Sequence, residues 1–391
     1  MYITSDGKTH IYIHLEEGRL NPELNLTFIQ AGSFTVDWGD GTTVDTVSGS
    51  ANTLGTIAHT YAIKGDYVIA ITVISGKLSI VGLQDYSQLI KKHNPNNSEE
   101  NLIYNNSIIK IEIGNNLTRL NNYAFQKCGS LTSITIPNSI EMMYRYIFQF
   151  CYALVAITIP NSISTIGSSA FNYCYSLRSV SMPKSVSQIG GNAFAYCRSL
   201  TSITLSNSLT RLESELFAGC TSFSSIIIPN SVTWIDNAFQ NCLSLKSVIF
   251  SESNINLSTS CFEGCQSLYS IVIPNDETSI PQNGFRYCYS LVSVKMSDSI
   301  TSIKSNAFYA CRSLASIIIP SNTTAIGSEA FAYCRGLGYI KFKGETPPSI
   351  QATTFNYIST DCIIYVPQGS LSAYTSAQYY PNPNTYTYVE Y

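Results

Sequence analysis

The sequence predicts a mainly β protein with short helical turns, in which a solenoid of stacked strands follows a small β-sandwich. Two observations lead to this fold class. A Phe-x-x-Cys motif occurs ten times between Phe125 and Cys334, and neighbouring motifs are 23 residues apart except for one spacing of 22, between Phe217 and Phe239. Residues 1–80 instead alternate apolar and polar side chains without repeating. A fixed period in the twenties is typical of solenoids, in which each unit stacks on its neighbours.

The β-sandwich is predicted over residues 1–80. Residues 26–29, 33–38 and 67–73 alternate apolar and polar side chains, as half-buried strands do. The Gly39-Asp40-Gly41 turn follows the second of these strands, and its glycines adopt positive φ without strain. Several short strands with little helical periodicity favour a sandwich.

Three motifs in this region resemble the polycystic-kidney-disease-type (PKD) immunoglobulin-like fold: Trp38-Gly39-Asp40-Gly41, His59-Thr60-Tyr61 and Gly65-Asp66-Tyr67. The resemblance covers roughly residues 8–75 and implies an extracellular spacer or protein-contact domain without catalysis. For the aspartates here, turn capping is favoured over the alternative of calcium binding, because no EF-hand-like spacing is present. They are Asp37, Asp40, Asp45 and Asp66.

Residues 81–107 are predicted to be a junction and N-terminal cap of the solenoid. Residues 91–100 read as a polar loop. The apolar residues before this loop are expected to pack on the open end of the array, because a terminal unit must meet something other than another repeat. They are Ile80, Val81, Leu83 and Leu89.

The solenoid is predicted over residues 108–345 with period 23. In a representative unit, Leu177, Val180 and Met182 alternate inward along a strand and Pro183 ends it, because proline cannot donate the next ladder hydrogen bond. Every unit repeats the same path, so successive strands run the same way and form a parallel sheet.

Ten of the twelve cysteines occupy one position of the repeat, and equivalent positions of a solenoid stack into a line. We therefore predict a buried ladder of reduced thiols and favour it over disulfides, which would break the regularity of the repeat. Zinc is disfavoured because the array contains no histidine. The predicted ladder includes Phe171, Cys174, Phe194, Cys197, Phe308 and Cys311.

The pattern Leu-x-x-Ile-x-Ile-Pro-x-x-Ile-x-x-Ile-Gly-x-x-Ala-Phe-x-x-Cys resembles the BspA-like (Treponema pallidum type) leucine-rich repeats of bacterial surface proteins. The resemblance implies a right-handed leucine-rich-repeat solenoid with a parallel sheet on its concave face, a role in adhesion and surface display, and no catalytic residues. Residues 346–391 are predicted to be a C-terminal cap and tail: a short helix at 369–374, within a run that resembles the family's cap, and an extended segment at 379–386.

Composition excludes several classes of function. A net charge of −3 with only 12% charged residues argues against nucleic-acid binding, which needs a basic stripe. No apolar run approaches the length of a membrane span, and neither a signal peptide nor an anchor is recognised in this segment. Neither paired carboxylates at regular spacing nor a nucleophile beside a histidine is present, so no enzyme, cofactor or metal site is predicted.

Positions flanking the ladder cysteines are rich in tyrosine and arginine, the residue types enriched in interface hot spots. Stacking of equivalent positions would form exposed stripes there; the alternative is that repeat duplication copied a solvent-tolerant tyrosine without selection for binding. The predicted binding residues are Tyr152, Tyr173, Tyr175, Tyr196, Arg198, Tyr287, Tyr289, Arg312, Tyr333 and Arg335.

A second set of positions lies between the inward aliphatic residues of each strand, on the predicted concave face. Their small side chains are attributed to tight strand packing rather than to a site. They are Ser133/Thr135, Ala156/Thr158, Ser179/Ser181, Ser202/Thr204, Ser225/Ile227, Ser247/Ile249, Ser270/Val272, Ser293/Lys295, Ser316/Ile318 and Tyr339/Lys341.

The function predicted from these features is non-catalytic adhesion at the cell surface or outside the cell, through contact with an extracellular protein of a host or of another bacterial cell. The alternative is a carbohydrate-binding surface module of a polysaccharide-utilisation system. Tyrosine stripes favour this alternative, and the presence of only one tryptophan in the array, Trp234, counts against it.

Overall fold

The computed structural model describes residues 6–16, 20–80, 90–91, 106–115, 117–251 and 255–391. Two parts of the chain, residues 1–208 and 209–391, each form a compact unit. The predicted fold class is confirmed: nearly all regular structure is β, parallel strands stack repeat upon repeat, and the described residues contain one short helix.

Unit 1 contains an antiparallel β region followed by repeats that alternate longer and shorter strands. Its strands are β1 Thr9–Leu15, β2 Glu23–Asp37, β3 Asp45–Gly49, β4 Thr53–Ala58, β5 Gly65–Ile80, β6 Ile90–Lys91, β7 Ile108–Glu112, β8 Leu117–Leu120, β9 Ser133–Thr135, β10 Met142–Met143, β11 Ala156–Thr158, β12 Thr165–Ile166, β13 Ser179–Ser181 and β14 Gln188–Ile189.

Unit 2 contains the later repeats and the C-terminal region. Its strands are β15 Arg211–Leu212, β16 Ser225–Ile228, β17 Trp234–Ile235, β18 Ser247–Phe250, β19 Asn256–Leu257, β20 Ser270–Val272, β21 Ser279–Ile280, β22 Ser293–Lys295, β23 Ser302–Ile303, β24 Ser316–Ile319, β25 Ala325–Ile326, β26 Tyr339–Phe342, β27 Ile363–Val366 and β28 Thr387–Glu390.

Two long strands, β2 and β5, organise the N-terminal region. They pair antiparallel over most of their length, with register shifts between residues 28 and 34 of β2. Such bulges bend a strand. The first half of β2 accordingly pairs with β4 and its second half with β3. The two strands predicted at 26–29 and 33–38 are therefore halves of one bulged strand, whose Phe28 and Phe34 are fully buried.

The antiparallel region is joined to the first repeat by backbone pairing. Strand β1 pairs antiparallel with β7, and β7 pairs in parallel with β9. The end of β5 pairs in parallel with β8, the first of the shorter strands. Ile80 in β5 is buried, whereas Val81, Leu83, Leu89 and the predicted polar loop at 92–100 lie outside the described residues. Both ladders of the repeat thus have a neighbouring strand from residues 1–80.

Each repeat adds one strand to a longer ladder and one to a shorter ladder. In unit 1, Ile157 pairs with Val180 in the longer ladder, and Ile166 with Ile189 in the shorter one. Both pairs are 23 residues apart, so the sequence period is also the strand register. These four inward residues are buried, whereas Met182, which was also predicted to face inward along its strand, follows the end of β13 and is half-buried.

Unit 2 accommodates the short spacing without losing register. Ile226 pairs with Val248, 22 residues on. The missing residue lies between the short strand and the ladder phenylalanine, because Ile235 and Phe239 are four residues apart whereas the equivalent Ile189 and Phe194 are five apart. A corner absorbs the deletion, and the strands on either side of it still pair.

The C-terminal region ends the longer ladder of unit 2 with the parallel order β24-β26-β27-β28. A helix spans Leu371–Ser376, close to its predicted position, and the hydroxyl of the buried Tyr374 donates to the carbonyl of Gly344 at 2.7 Å. The prediction of an extended segment at 379–386 is wrong. Those residues form bends and turns, in which the amide of Thr385 donates to the carbonyl of Asn382, and so bring β28 alongside β27.

Candidate interaction surface

The backbone at the Phe-x-x-Cys turn determines where the predicted binding residues lie. The residue before the ladder cysteine has left-handed φ, 62° at Tyr173 and 59° at Tyr196, a conformation that costs a non-glycine residue about 1–2 kcal/mol. Gly219 and Gly264 occupy the same position in unit 2. The turn is held across repeats, because the amide of Tyr173 donates to the carbonyl of Ala195 at 2.9 Å.

We call the residues before the ladder cysteines column A and those after them column B. In unit 1, column A stacks Phe150 on Tyr173 with ring centroids 5.1 Å apart, and Tyr173 on Tyr196 at 4.6 Å with planes 2° apart. All three side chains are half-buried. The result is a continuous aromatic column across three repeats.

Column B of unit 1 combines aromatic stacking with a cation. Tyr152 stacks on Tyr175 at 5.1 Å, and the guanidinium of Arg198 lies 4.6 Å from the centre of the Tyr175 ring. Tyr152 and Arg198 are exposed. Tyr173 meets Tyr175 edge to face at 5.9 Å, so the two columns of unit 1 form one surface.

The five predicted residues of unit 2 form a more interrupted surface. Arg312 lies 4.6 Å over the ring of Tyr289 in column B. In column A, Ala310 separates Tyr287 from Tyr333. Tyr309 fills this gap with edge contacts to Tyr287 at 5.6 Å and to Tyr333 at 5.3 Å.

Tyr333 continues the unit 2 surface toward the C-terminal region. Its ring stacks on Tyr357 at 4.6 Å, and the guanidinium of Arg335 lies 5.9 Å from its centre. The structure thus brings the predicted residues together in two sets, five in each unit.

A third column, which the sequence analysis missed, occupies the position after each ladder phenylalanine. In unit 1 its first three members are amides, followed by Ala195: Gln126 donates to Gln149 at 2.6 Å, and Gln149 donates to Asn172 at 3.0 Å. In unit 2 the column includes Glu263 and Arg286, an ion pair at 3.3 Å. The sequence signal for this column was the spacing of the ladder phenylalanines, and polar side chains of different types fill seven of its ten positions.

Arg286 connects this third column to column A. Its guanidinium lies 4.5 Å from the ring of Tyr287 and 5.3 Å from that of Tyr309, and it donates a hydrogen bond to the hydroxyl of Tyr287 at 2.8 Å. One arginine therefore orients two rings of the unit 2 surface.

The ladder beneath these columns is a buried apolar core. Phe171 stacks on Phe194 at 5.2 Å, and in unit 2 Phe285 stacks on Phe308 at 5.4 Å. All twelve cysteines are buried thiols. The Sγ of Cys174 donates to the carbonyl of Phe148 in the preceding repeat at 3.2 Å, a contact that Cys197 and Cys311 repeat with Phe171 and Phe285. Burial raises the pKa of the Cys174 thiol far above its usual range.

The N-terminal aspartates have separate partners. Asp37 and Asp40 accept hydrogen bonds from the amides of Gly39 and Thr42, the geometry of turn caps. Partial burial alone would raise the pKa of Asp40, but hydrogen bonds from Thr42 and His59 outweigh it and hold that pKa at about 2. Asp45 accepts from the indole of Trp38 at 2.8 Å, and Asp66 pairs with His14 at 2.6 Å. Nowhere in the described part of the chain do three or more such groups converge as a metal site would require.

Comparison with models of protein families identifies the family to which this chain belongs. A model of the BspA type leucine-rich repeat region, in six copies, matches residues 96–224, 164–292 and 235–363, which together cover more than half of the chain. The chain belongs to the BspA-type leucine-rich-repeat family. Its Phe-x-x-Cys ladder and paired strand ladders are therefore the structure of a BspA-type repeat array.

Nine chains among solved structures are similar. A leucine-rich repeat protein from Bacteroides ovatus is 26% identical, with 73% of this chain and 84% of that chain covered and a TM-score of 0.44. A leucine-rich cell surface protein from Faecalibacterium prausnitzii is 29% identical, with 58% and 70% covered and a TM-score of 0.42. The leucine-rich repeat protein of T. pallidum is 22% identical, with 51% and 72% covered and a TM-score of 0.32. No curated protein matches the chain.

Proposed function

We propose that this chain is a non-catalytic bacterial cell-surface or secreted protein that mediates adhesion by binding an extracellular protein of a host or of another bacterial cell. Membership of the BspA-type family supports a role in protein interaction. The observation that carries the proposal is the surface of unit 1 in which Phe150, Tyr173 and Tyr196 stack beside Tyr152, Tyr175 and Arg198.

The columns suit protein recognition because their side chains are ordered before a partner arrives. A tyrosine loses little conformational freedom on binding, and stacking on a neighbouring repeat restricts it further. Arg198 is the last member of column B in unit 1, with its guanidinium over Tyr175, and a guanidinium is suited to backbone carbonyls and carboxylates because it carries five N–H donors. Tyrosine and arginine are the side chains from which interface hot spots are most often built.

The backbone conformation of column A is independent of the rings. Tyr173 and Tyr196 hold left-handed φ, and Gly219 and Ala310 hold it at the equivalent positions of unit 2. Glycine meets this backbone requirement without strain. Replacing the two tyrosines with glycine therefore removes their rings and leaves the turn unstrained.

No catalytic group belongs to the proposed surface. Its hydroxyls are tyrosyl, and partial burial raises the pKa of Tyr152, so its phenol stays protonated near neutral pH. The neighbouring thiols are buried, and burial raises the pKa of Cys151 well above its usual range. A thiol in that state is a poor nucleophile.

Glycan binding is the less well supported function. A sugar ring stacks on an aromatic face, but the faces of Tyr173 are covered by Phe150 on one side and Tyr196 on the other, at 5.1 and 4.6 Å. A glycan array should therefore show no saturable binding. Saturable binding that is lost on replacing Tyr152 and Tyr175 would favour the carbohydrate module instead.

Bead adhesion tests the proposal. Beads coated with the chain are allowed to settle on epithelial cells and on layers of other bacteria, and detachment under flow is measured. We expect the double variant Tyr173→Gly, Tyr196→Gly to lose adhesion by about tenfold, as removal of two hot-spot rings would cause, while keeping its fold, because glycine is native at the equivalent positions 219 and 264.

The matched control is Tyr269→Gly, which removes an exposed tyrosine outside both columns. Trypsin treatment of the target cells should abolish adhesion of the wild-type chain. The proposal is overturned if beads do not adhere to any cell, if trypsin has no effect, or if the double variant adheres as well as the wild type.

A further inference from the structure

The longer strands of unit 2 carry a row of aliphatic side chains that face solvent. The exposed fractions are 63% at Ile227, 56% at Ile249, 58% at Val272 and 42% at Ile318. The equivalent outward positions of unit 1 carry hydroxyl residues, among them Thr158 and Ser181. We call the unit 2 residues the aliphatic row. Outward alternation was predicted for these positions, whereas an exposed apolar row was not.

The aliphatic row occupies one outward position on successive strands, and Lys295 of β22 fills that position between Val272 and Ile318. Ile227 stands opposite Ile249 in register, Val272 opposite Lys295, and Ile318 opposite Lys341. Backbone hydrogen bonds also link β18 to β20 and β22 to β24. The amide of Tyr269 donates to the carbonyl of Lys246, and the amide of Ala315 donates to the carbonyl of Val292. Contiguous exposed apolar surface on a soluble domain marks an interaction site.

The charged side chains at the outward positions of these strands have one sign. Lys295 and Lys341 occupy the same outward position of their strands as the members of the aliphatic row, and strands β16, β18, β20, β22, β24 and β26 contain no acidic residue. Lys295 forms no ion pair with any residue in the described ranges. The Nζ of Lys341 lies 3.5 Å from the centre of the Tyr391 ring. An occupant of this face must therefore combine apolar contacts with negative charge.

The spacing of the row indicates the conformation of that occupant. Neighbouring strands lie about 4.8 Å apart, so the four steps from Ile227 to Ile318 span roughly 19 Å. An extended chain presents side chains on one face about every 6.7 Å. This spacing is about 1.9 Å longer than the spacing between strands, so its side chains no longer match the row after two strands. One turn of an α-helix rises 5.4 Å, which differs from the strand spacing by only about 0.6 Å per step.

We propose that the aliphatic row of unit 2 binds an amphipathic α-helix of a partner protein, with an apolar stripe on the row and acidic side chains toward Lys295 and Lys341. A second copy of this chain is a poorer occupant, because a two-fold contact places a surface against itself and would oppose lysine to lysine. The site is distinct from columns A and B, so it can fail while the proposed adhesion surface stands.

Fluorescence anisotropy on the full chain tests this proposal. The probe is a fluorescein-labelled peptide of about 18 residues, five turns of helix, with leucines at every third or fourth position and glutamates on both flanks. We expect the wild-type chain to bind it and the triple variant Ile227→Thr, Ile249→Thr, Val272→Thr to bind at least about tenfold more weakly. Threonine is native at the outward positions 135, 158 and 204 of unit 1, so the variant keeps a side chain that the fold accepts.

Three comparisons separate this site from non-specific binding. Val155→Thr replaces an exposed valine of unit 1 and should leave the affinity unchanged. The double variant Lys295→Glu, Lys341→Glu should weaken the acidic probe about tenfold and strengthen a probe with lysines in place of its glutamates. A probe of the same composition with its leucines dispersed around the helix should not bind.

Four results overturn the proposal. They are failure of the wild-type chain to bind the acidic probe, equal binding by the triple variant, equal binding of the acidic and basic probes, and a dimer in size-exclusion chromatography that the triple variant dissociates. If the wild-type chain fails to bind the acidic probe but binds phosphatidylserine vesicles, the row is instead a site for a lipid surface.

Discussion

At the scale of single residues, the ladder cysteine has two roles that explain its recurrence. It fills a narrow buried column, and its Sγ donates to a phenylalanine carbonyl of the preceding repeat, at 3.2 Å for Cys174 and 3.1 Å for Cys334. Alanine would fill only part of the column and would remove one of two donors to that carbonyl, because the amide of Cys151 also donates to the carbonyl of Phe148, at 3.1 Å. A disulfide would consume the donor.

Thiol titration checks this account. We expect no cysteine of the native chain to react with Ellman's reagent on the time scale of mixing, because the thiols are buried and burial raises the pKa of ladder thiols such as Cys174 and Cys334. About twelve thiols should react after denaturation without reductant. A substantially lower count in denaturant would show that rungs of the ladder are cross-linked and would contradict the hydrogen-bonding role.

Glu277 is the clearest local exception to the repeat. It occupies the position at which Val232 and Ile300 are fully buried, and it is itself only 6% exposed. Its carboxylate accepts a hydrogen bond from the amide of Leu257 in the preceding repeat. Burial raises the pKa of Glu277 despite that hydrogen bond. The folded state therefore holds a proton on this group more tightly than the unfolded state does.

Stability should accordingly fall as pH rises through the raised pKa of Glu277, since the folded state must then ionise a buried group. Glu277→Gln keeps an acceptor for Leu257 and removes the charge. We expect the variant to be about 1 kcal/mol more stable than wild type at neutral pH, with no difference in acid, as measured by urea denaturation. The exposed Glu345→Gln is the control. A variant that is less stable at neutral pH would show that the ionised carboxylate is needed.

At the scale of elements, the phenylalanine ladder is the main source of cohesion between repeats. Phe194 is fully buried and stacks on Phe171 with planes 4° apart. Phe194→Ala removes a large buried side chain from between packed repeats, so we expect a loss of about 3–5 kcal/mol in the free energy of unfolding. Tyr269→Ala, at an exposed site, should cost far less. An unchanged melting temperature for Phe194→Ala would remove Phe194 from the core.

The sequence predicts those elements that recur with the period. The strands of both ladders and the Phe and Cys columns repeat every 23 residues, and a solenoid converts repetition along the chain into stacking in space. Pairings between segments far apart leave no such signal. The antiparallel contact of β1 with β7 joins Ile11 to Ile111, and nothing in either segment specifies its partner.

The candidate surfaces could likewise be predicted from the sequence only where they follow the repeat. The membership of columns A and B followed from position in the repeat, whereas the bridging role of Tyr309 follows from Ala310, which leaves the gap that Tyr309 fills. The aliphatic row was visible as a set of outward positions. Its exposure and the absence of carboxylates from its strands became meaningful once the register had placed Ile227 beside Ile249.

At the scale of the molecule, residues 1–80 provide the first repeat of unit 1 with strand partners. Strand β1 covers β7 in the longer ladder, and the end of β5 covers β8 in the shorter ladder. A solenoid whose terminal unit is uncovered exposes backbone donors, acceptors and apolar core to water. The antiparallel region is therefore a structural cap for the repeats, whether or not it also contacts other proteins.

Removal of residues 1–80 tests the capping role. The truncated chain should lose amide protection at the ends of β7 and β8, measured by hydrogen exchange at Gly114 and Asn121. The amide of Gly114 donates to the hydroxyl of Thr9 and that of Asn121 to the carbonyl of Ile80, and truncation removes both acceptors. Amides in β26 of unit 2, such as that of Ile340, serve as the internal control and should keep their protection. Since an unpaired strand edge favours association, we also expect the truncated chain to aggregate at lower concentration than the full chain. Unchanged protection of β7 and β8 after truncation would show that the repeats hold their first strands without this region.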